Sequence, residues 1–162
     1  MATIKNSQKI TPCLWFDSNA EEAVKFYTSV FKNPKKAGVS YYGENAPMPK
    51  GTVLTVTFQI EGQDFLALNG GPHFKFTEAI SFVVNCKTQK EIDYYWEALS
   101  EGRAKVECGW LKDKCALSWQ VVPTIISKMM TDKNAEKSSR VMQAILKMKK
   151  LDIRTLKEAY AG

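Results

Sequence analysis

The side chains that could do chemistry are few in this chain of 162 residues. His73 is the one histidine, and the four cysteines, at positions 13, 86, 108 and 115, form no Cys-x-x-Cys pair and have no histidine nearby in sequence. A structural zinc ion needs four such ligands at short spacings, so we expect no zinc site. Because nothing in the sequence indicates export to an oxidising compartment, we also expect four reduced thiols. His73, which follows Gly70-Gly71-Pro72, could act as a general base, although a lone histidine in such a loop more often only forms hydrogen bonds.

Recognisable catalytic patterns are also missing from the sequence. No Ser-His-Asp or paired-carboxylate arrangement stands out, and Cys13 has no basic neighbour in sequence that would lower the pKa of its thiol. Enzymes that use S-adenosylmethionine usually bind it at a glycine-rich turn between a strand and a helix, whereas Gly70-Gly71 leads into Pro72 and a connector. We therefore assign no catalytic residue.

The elements that must position these side chains come from an internal duplication. A shift of 69 residues places Asn19-Ala20-Glu21-Glu22 on Thr88-Gln89-Lys90-Glu91, and each string begins with a capping residue that is followed three positions later by glutamate. Such strings are typical of helix starts. The same shift places the strand-like residues 12–17 on residues 81–86. The sequence therefore predicts two related modules, each with a strand, a helix and further strands.

Hydrophobic periodicity sets the boundaries of the predicted elements. The alternation of Leu54, Val56, Phe58 and Ile60 with polar residues makes 52–61 the clearest strand. The other predicted strands span 9–17, 36–42, 64–69, 79–85, 105–111 and 116–122; the helices begin at Asn19 and Thr88, the second with Gly102 at its C′ position, and two more cover 132–150 and 152–160. We expect a single domain (1–162), made of module one (8–71), a connector (72–77), module two (78–123) and a C-terminal helical tail (124–162).

The positive charge of the chain lies in its tail. Residues 1–127 carry 14 basic and 13 acidic side chains, whereas residues 128–162 carry 9 basic and 4 acidic ones. No aromatic residue alternates with the tail lysines to stack on bases, so we expect no nucleic acid partner. We expect the apolar face formed by Val141, Ile145 and Met148 to dock on the sheets or on a partner subunit. The sequence has no run of 18 apolar residues and no apolar segment at its start, so we also expect no membrane partner and a cytoplasmic location.

Several strings make the chain similar to a known family. They are residues 12–17 with Ala20-Glu21-Glu22-Ala23 and Phe26-Tyr27, residues 64–72, residues 80–86, residues 109–114 and Ser118-Trp119-Gln120. With them the chain resembles the PhnB-like branch of the glyoxalase/bleomycin-resistance (vicinal oxygen chelate) superfamily, many members of which are labelled 3-demethylubiquinone-9 3-methyltransferase. The resemblance implies an α+β fold in which duplicated βαβββ modules form a curved mixed β-sheet with helices on the convex side, plus C-terminal helices. It also implies a homodimer.

The resemblance further implies where a metal ion would bind. Enzymes of the superfamily hold a divalent ion inside the curved sheet, with ligands such as His, Gln and Glu on the first and last strand of each module. Those positions correspond here to Thr11, to Leu68 or Asn69, to Ala79 and to Gln120. One hydroxyl and one amide do not make a strong site for a divalent ion, which prefers carboxylates or imidazoles. We therefore expect no catalytic metal and no cofactor.

The resemblance also implies a cavity on the concave face of the sheet that could accept a small ligand. Alternation places Thr11, Cys13 and Trp15 on one face of the first strand, and Ser118 and Gln120 on one face of the last, and the superfamily register makes both faces concave. Alternatively, Trp15 and Trp110 simply fill the interior, because aromatic side chains serve both roles. The predicted ligand-binding residues are Thr11, Cys13, Trp15, Asn69, Trp110, Ser118 and Gln120, with the two tryptophans on either side of the ligand and Asn69 at the rim.

The function that the sequence predicts is binding of an unidentified small molecule by a protein without a catalytic metal. Two alternatives stay open: a metal-dependent lyase or dioxygenase of the same superfamily, and an interaction protein that acts through its basic tail. A methyltransferase activity is not favoured, because the sequence lacks the expected glycine-rich turn.

Overall fold

The computed structural model describes residues 8–101 and 106–162, with only the backbone of Ala37. The chain forms two compact units, the first ending at Lys75 and the second beginning at Phe76. The elements of the first unit are β1 (Cys13–Phe16), α1 (Ala20–Val30), β2 (Lys35–Tyr41), β3 (Val53–Ile60) and β4 (Gln63–Asn69). Those of the second are β5 (Ser81–Cys86), α2 (Gln89–Leu99), β6 (Trp110–Lys112), β7 (Ser118–Pro123), α3 (Ile125–Met130), α4 (Ala135–Leu146) and α5 (Ile153–Ala161).

The sheet of the first unit has the strand order β1-β4-β3-β2. β1 runs parallel to β4, with Cys13 opposite Leu66, whereas the β4–β3 and β3–β2 pairs are antiparallel. β1 is shorter than the predicted strand 9–17 and begins only after Pro12, which lacks a backbone N–H to donate to a ladder. Its carbonyl still accepts a hydrogen bond from the backbone N–H of Leu66 at 2.9 Å.

Helix α1 packs against β3 and β4 and forms the core of the first unit. The apolar side chains of α1 are buried, and the ring of Tyr27 stacks on Phe58 with 6.0 Å between the ring centroids. Phe58 in turn stacks on Phe65 at 5.3 Å. The sheet therefore buries one face under the helix. The buried residues of this core include Ala20, Ala23, Val24, Tyr27, Val30, Val56, Phe58, Phe65 and Ala67.

The two predicted capping boxes have different outcomes. Thr88 forms one: its hydroxyl accepts from the backbone N–H of Glu91 at 3.2 Å, and the Glu91 carboxylate accepts from the backbone N–H of Thr88 at 3.3 Å. The prediction for Asn19 is wrong, because its side chain makes no capping hydrogen bond. The backbone of Thr88 is extended (φ −129°, ψ 157°), as capping requires, whereas that of Asn19 is not (φ −113°, ψ 26°).

The second unit repeats the pattern of the first with a smaller sheet. Helices α1 and α2 both have 11 residues, and their ends correspond at the predicted shift, Ala20 with Gln89 and Val30 with Leu99. The described strands of this unit form the order β5-β7-β6, with β5 parallel to β7 and β6 antiparallel to it, and α2 packs against them.

One strand of the second unit is much shorter than predicted. The strand expected at 105–111 is only β6, because Cys108 (φ 62°) and Gly109 (φ 81°) adopt left-handed backbone conformations just before it. Lys105 and the predicted helix end at Gly102 lie outside the described residues.

The tail forms three helices around a small core of its own. Met129, Val141 and Leu156 are buried there, with Ile145 and Met148 packed against them. Helix α3 is not predicted from the sequence, and α4 is shorter than the predicted 132–150. In the described part of the chain no helix is long and apolar enough to cross a membrane.

The start of α2 and the segment before β6 contact the tail through hydrogen bonds, whereas the apolar face that was expected to dock on the sheets packs within the tail's own core. The backbone N–H groups of Cys108 and Gly109 donate to the carbonyls of Met148 and Lys149, each at 2.7 Å. The amide of Gln89 at the start of α2 donates to the carbonyl of Leu151 and accepts from the backbone N–H of Ile153. The mixed sheets with helices packed on them confirm the predicted α+β fold class.

Candidate ligand site

The predicted ligand residues divide between the two units, and those of the second unit lie on one face of its sheet. In β7, Trp119 and Val121 are buried on the other face, the side on which α2 packs. The ladder aligns Ser118 with Lys112 and Ser81, and Gln120 with Trp110. Because paired residues project to the same side of a sheet, these five side chains share the face opposite α2, and the predicted side-chain alternation of β7 is confirmed.

A cavity of about 330 Å³ opens beside this face. That volume is at the lower end of the range for small-molecule sites, about 300–1,000 Å³. The Ser118 side chain is buried, and within the described residues its hydroxyl has no hydrogen-bond partner. A ligand group could therefore satisfy a buried polar atom that the protein leaves unpaired. The cavity is lined by Glu78, Val106, Trp110, Leu111, Lys112 and Ser118.

Two of the residues that line the cavity, Glu78 and Lys112, are charged and form an ion pair. The ammonium of Lys112 pairs with the carboxylate of Glu78, and the exposed fractions of the two side chains are 35% and 64%. The hydrogen bond from Lys112 lowers the pKa of Glu78, so this carboxylate stays ionised further into the acid range than an isolated glutamate does.

The turn that joins β6 to β7 fixes the positions of Lys112 and Ser118. Asp113 is fully buried in it, and its carboxylate accepts from the backbone N–H groups of Cys115 at 2.7 Å and Leu117 at 3.1 Å and from the indole N–H of Trp119 at 2.8 Å. The sequence indicated only a turn here. An aspartate between two strands is the one signal that pointed to such local hydrogen bonds.

Gln120 lies beside the cavity rather than in its lining. Its side-chain amide N–H donates to the Ser81 hydroxyl at 2.9 Å. Because that bond uses the amide nitrogen, the amide oxygen is the atom of Gln120 that remains for a ligand.

The predicted ligand residues on β1 and just before it lie on an open face of the first sheet, and one of them, Trp15, makes a structural contact. Thr11 is half-buried and Cys13 is exposed. The half-buried Trp15 donates from its indole N–H to the carbonyl of Gly71 at 2.8 Å, and its ring meets Phe74 edge-on at 4.9 Å between centroids. Trp15 therefore has a structural role in holding the end of β4.

Asn69 lies on the opposite side of the first sheet from Trp15. It is buried and is aligned with Phe16 on the face that packs under α1. Its side-chain oxygen accepts from the backbone N–H of Ala20 at 2.8 Å, and its side-chain N–H donates to the carbonyl of Val53 at 3.0 Å. Both polar atoms of the Asn69 amide are therefore bonded within the protein. The expectation that Asn69 lies at the rim of a ligand site beside Trp15 is corrected by these contacts.

The reactive candidates show no activated geometry. Desolvation by packed neighbours raises the pKa of the Cys13 thiol, although the residue lies at the surface, so the thiolate is disfavoured. His73 is exposed in the turn after Gly71. No disulfide joins the cysteines, all four of which lie in the described part of the chain.

A divalent metal does not fit the donor atoms available at the superfamily positions. Among residues 8–101 and 106–162, no three His, Cys, Asp or Glu side chains are grouped so that they could hold a metal ion. Leu68 and Ala79 carry no side-chain donor, both amide atoms of Asn69 are bonded within the protein, and Thr11 and Gln120 offer only one hydroxyl and one amide oxygen.

Comparisons with known proteins show the family to which the chain belongs. The model of the 3-demethylubiquinone-9 3-methyltransferase family matches residues 8–122. A PhnB protein from Bacillus cereus is 38% identical over 72% of this chain and 100% of its own, with a TM-score of 0.65. Protein PA1353 from Pseudomonas aeruginosa has the same fold at 19% identity, over 72% of this chain and 98% of its own, with a TM-score of 0.60. Among curated proteins no match was found.

The chain belongs to the 3-demethylubiquinone-9 3-methyltransferase family of PhnB-like proteins. The resemblance inferred from the sequence is thereby confirmed. A glyoxylase/bleomycin resistance protein/dioxygenase domain from Frankia sp. EAN1pec is also similar, at 14% identity over 72% of this chain and 97% of its own, with a TM-score of 0.46.

Proposed function

We propose that the protein binds a small molecule in the cavity of the second unit, beside Trp110 and Ser118. The observation that carries this proposal is the buried Ser118 hydroxyl, which has no hydrogen-bond partner in the described structure and borders the cavity. An unsatisfied buried hydroxyl is unfavourable, and a ligand polar group would remove that cost on binding. Trp110 is half-buried on the same face and offers a flat apolar surface for the body of the ligand.

Binding is favoured over catalysis by the chemistry of the residues around the cavity. Ser118 has no histidine or carboxylate aligned with it in the ladder, since its partners there are Lys112 and Ser81. We also do not propose methyltransferase activity: Gly70 and Gly71 follow β4 but lead into a turn, and the next helix, α2, begins only after β5. The alternative of a metal-dependent lyase or dioxygenase would need donor atoms that the superfamily positions lack.

The basic tail does not favour the third function, an interaction protein. Lys150 pairs with Asp93 of α2 at 2.7 Å, and Lys137 lies over the ring of Tyr160 at 4.9 Å from its centroid. Lys150 therefore joins the tail to α2, and Lys137 contributes to packing within the tail. That Thr11 and Cys13, on the open face of the first sheet, also contact a ligand stays a prediction.

Native mass spectrometry tests the proposed function. The full chain, purified without chelators, is expected to carry a small-molecule adduct or to accept one from a fragment library, and to contain no stoichiometric metal. Gln120→Leu keeps the volume but removes both polar functions, and it should weaken binding by roughly 1–3 kcal/mol if the amide oxygen contacts the ligand. Binding that is unchanged by both Gln120→Leu and Trp110→Leu would contradict the site assignment.

We also propose that the protein is a homodimer. Support comes from α4, on which Met142 and Leu146 are 40% and 53% exposed and lie four residues apart on one side of the helix. Light scattering should give twice the chain mass of 18.3 kDa, and Leu146→Glu should shift that mass towards one chain. A single-chain mass at micromolar concentration would contradict this proposal. Location in the cytoplasm likewise stays a prediction.

A further inference from the structure

We propose that the ligand of this cavity carries a negatively charged group, which displaces Glu78 from Lys112 while the apolar part of the ligand lies against Trp110. The inference rests on the proposed function, because it names the chemical class that the same cavity would accept. The expected class is a small carboxylate or sulfonate with a flat apolar body.

The first step is the asymmetry of the ion pair. The Lys112 side chain is 35% exposed, whereas that of Glu78 is 64% exposed. An unpaired charge costs more free energy when it is less hydrated. Leaving Lys112 without an anion is therefore more costly than leaving Glu78 without a cation. Glu78 is therefore the exchangeable partner, since a pair this exposed contributes little to stability.

The second step is that the carboxylate of Asp113, the acidic residue next to Lys112 in sequence, is already occupied. Buried in the β6–β7 turn, this carboxylate accepts three hydrogen bonds. Lys114, one residue further, adds a second positive charge at the exposed part of the turn. The local charge therefore favours an anionic ligand over a cationic one.

The third step is the alignment of two donors. Lys112 and Ser118 are directly opposite in the β6–β7 ladder, so their side chains start about 4.5–5.5 Å apart at Cβ on the same face. An ammonium and a hydroxyl can both donate to one carboxylate. The Ser118 hydroxyl, which has no partner in the described structure, would thus become the second donor to the same anionic group.

Two matched probes separate the charge from the shape of the ligand. Naphthalene-2-carboxylate and its neutral isostere naphthalene-2-carboxamide are titrated calorimetrically into the full chain and four variants, one of which is Trp110→Leu. The carboxylate should bind about tenfold or more tightly than the amide, as a charge-assisted hydrogen bond implies. Lys112→Met should abolish that preference, and Glu78→Gln should tighten carboxylate binding while amide binding stays the same. Lys25→Met, which removes an exposed lysine of α1 in the first unit, is the control and should keep the preference.

Each outcome separates the charge inference from the site. If both probes bind equally and Trp110→Leu abolishes both, the inference is overturned while the proposed function stands. If Glu78→Gln weakens carboxylate binding, Glu78 is not a competitor and the inference is overturned. If neither probe binds at its solubility limit, or if Trp110→Leu has no effect on binding, both the proposed ligand site and the charge inference are contradicted.

Discussion

The side-chain oxygen of Asn69 accepts a hydrogen bond from the backbone N–H of Ala20 at 2.8 Å, so helix α1 is capped by a residue 49 positions away. The same side chain donates to the carbonyl of Val53, and the carbonyl of Asn69 accepts from the Tyr42 hydroxyl at 2.6 Å. One residue thus joins the start of α1 to the ends of β3 and β4. It satisfies a helix N–H that has no partner within the helix.

Replacing Asn69 should destabilise the protein substantially. Asn69→Ala removes the partners of the buried Ala20 N–H and the half-buried Val53 carbonyl, and we expect a loss of about 1–3 kcal/mol in the free energy of unfolding, mainly from the Ala20 N–H. Urea denaturation followed by circular dichroism measures the change. Asn19→Ala is the matched control and should change stability by less than about 0.5 kcal/mol, because Asn19 is exposed and makes no capping bond. Equal losses in the two variants would contradict the remote cap.

Gly70 is required by its contact with Trp15. A Cβ atom at position 70 would lie 2.3 Å from the Trp15 ring, which is held by the bond to Gly71 and the edge-on contact with Phe74. Gly70→Ala should therefore lower the free energy of unfolding by about 1–3 kcal/mol in the same urea assay.

The control for this prediction is Gly43→Ala. A Cβ at Gly43 would meet nothing within 4 Å, so this variant should be nearly neutral. Combining Gly70→Ala with Trp15→Leu should recover part of the stability, because the smaller side chain can move away. A Gly70→Ala variant as stable as Gly43→Ala would show that the indole is not fixed.

Two buried serines should respond in opposite ways. Ser118→Ala removes a hydroxyl without a partner in the described structure, so the free energy of unfolding should stay the same or rise by about 1 kcal/mol, while binding of naphthalene-2-carboxylate weakens. Ser100→Ala removes a hydroxyl that donates to the Trp96 carbonyl at 2.5 Å, so it should lower stability by about 1 kcal/mol and leave binding unchanged. Thermal unfolding with and without the probe measures both effects. A loss of stability in Ser118→Ala would contradict the unsatisfied hydroxyl.

Cys86 should make stability fall at alkaline pH. Burial, with a smaller contribution from the charge of Glu91, raises the pKa of its thiol from the ordinary 9.0 to about 11. Well below pH 9, at about pH 7, the thiol is protonated in both states and contributes no pH dependence. Between pH 9 and 11 the unfolded chain releases this proton first, so stability falls as pH rises, by about 2–3 kcal/mol in total. Urea denaturation of wild type and Cys86→Ala at several pH values isolates this contribution, and parallel curves would contradict it.

The local elements of the fold were predictable because each depends on nearby residues. The alternation of Val56, Phe58 and Ile60 identified β3, and the shift of 69 residues placed α1 and α2. The Thr88 capping box also formed, since all its atoms lie within one turn. Helix α3 has only six residues, too few for a hydrophobic period to be recognised.

The site could be predicted only in part, because it depends on contacts between distant segments. Trp110 and Ser118, which line the cavity, were among the predicted residues. Glu78 and Val106 come from segments outside the strands, and spacing along the sequence could not show that they meet there. The position of Asn69 was misjudged because its alternation with Ala67 places it on the helix side of β4. Whether a buried hydroxyl such as that of Ser118 has a partner depends on the whole packing around it.

Fluorine NMR of the protein labelled with 5-fluorotryptophan tests the central claim most directly. The chain has four tryptophans, and Trp110→Phe assigns the resonance of Trp110. On addition of naphthalene-2-carboxylate, the Trp110 signal should shift in proportion to occupancy. The Trp119 signal should stay in place, because that residue lies on the other face of the same sheet with its indole bonded to Asp113. A saturable shift of Trp119 or Trp15 without one of Trp110, or no shift at all, would contradict a ligand site beside Trp110 and Ser118.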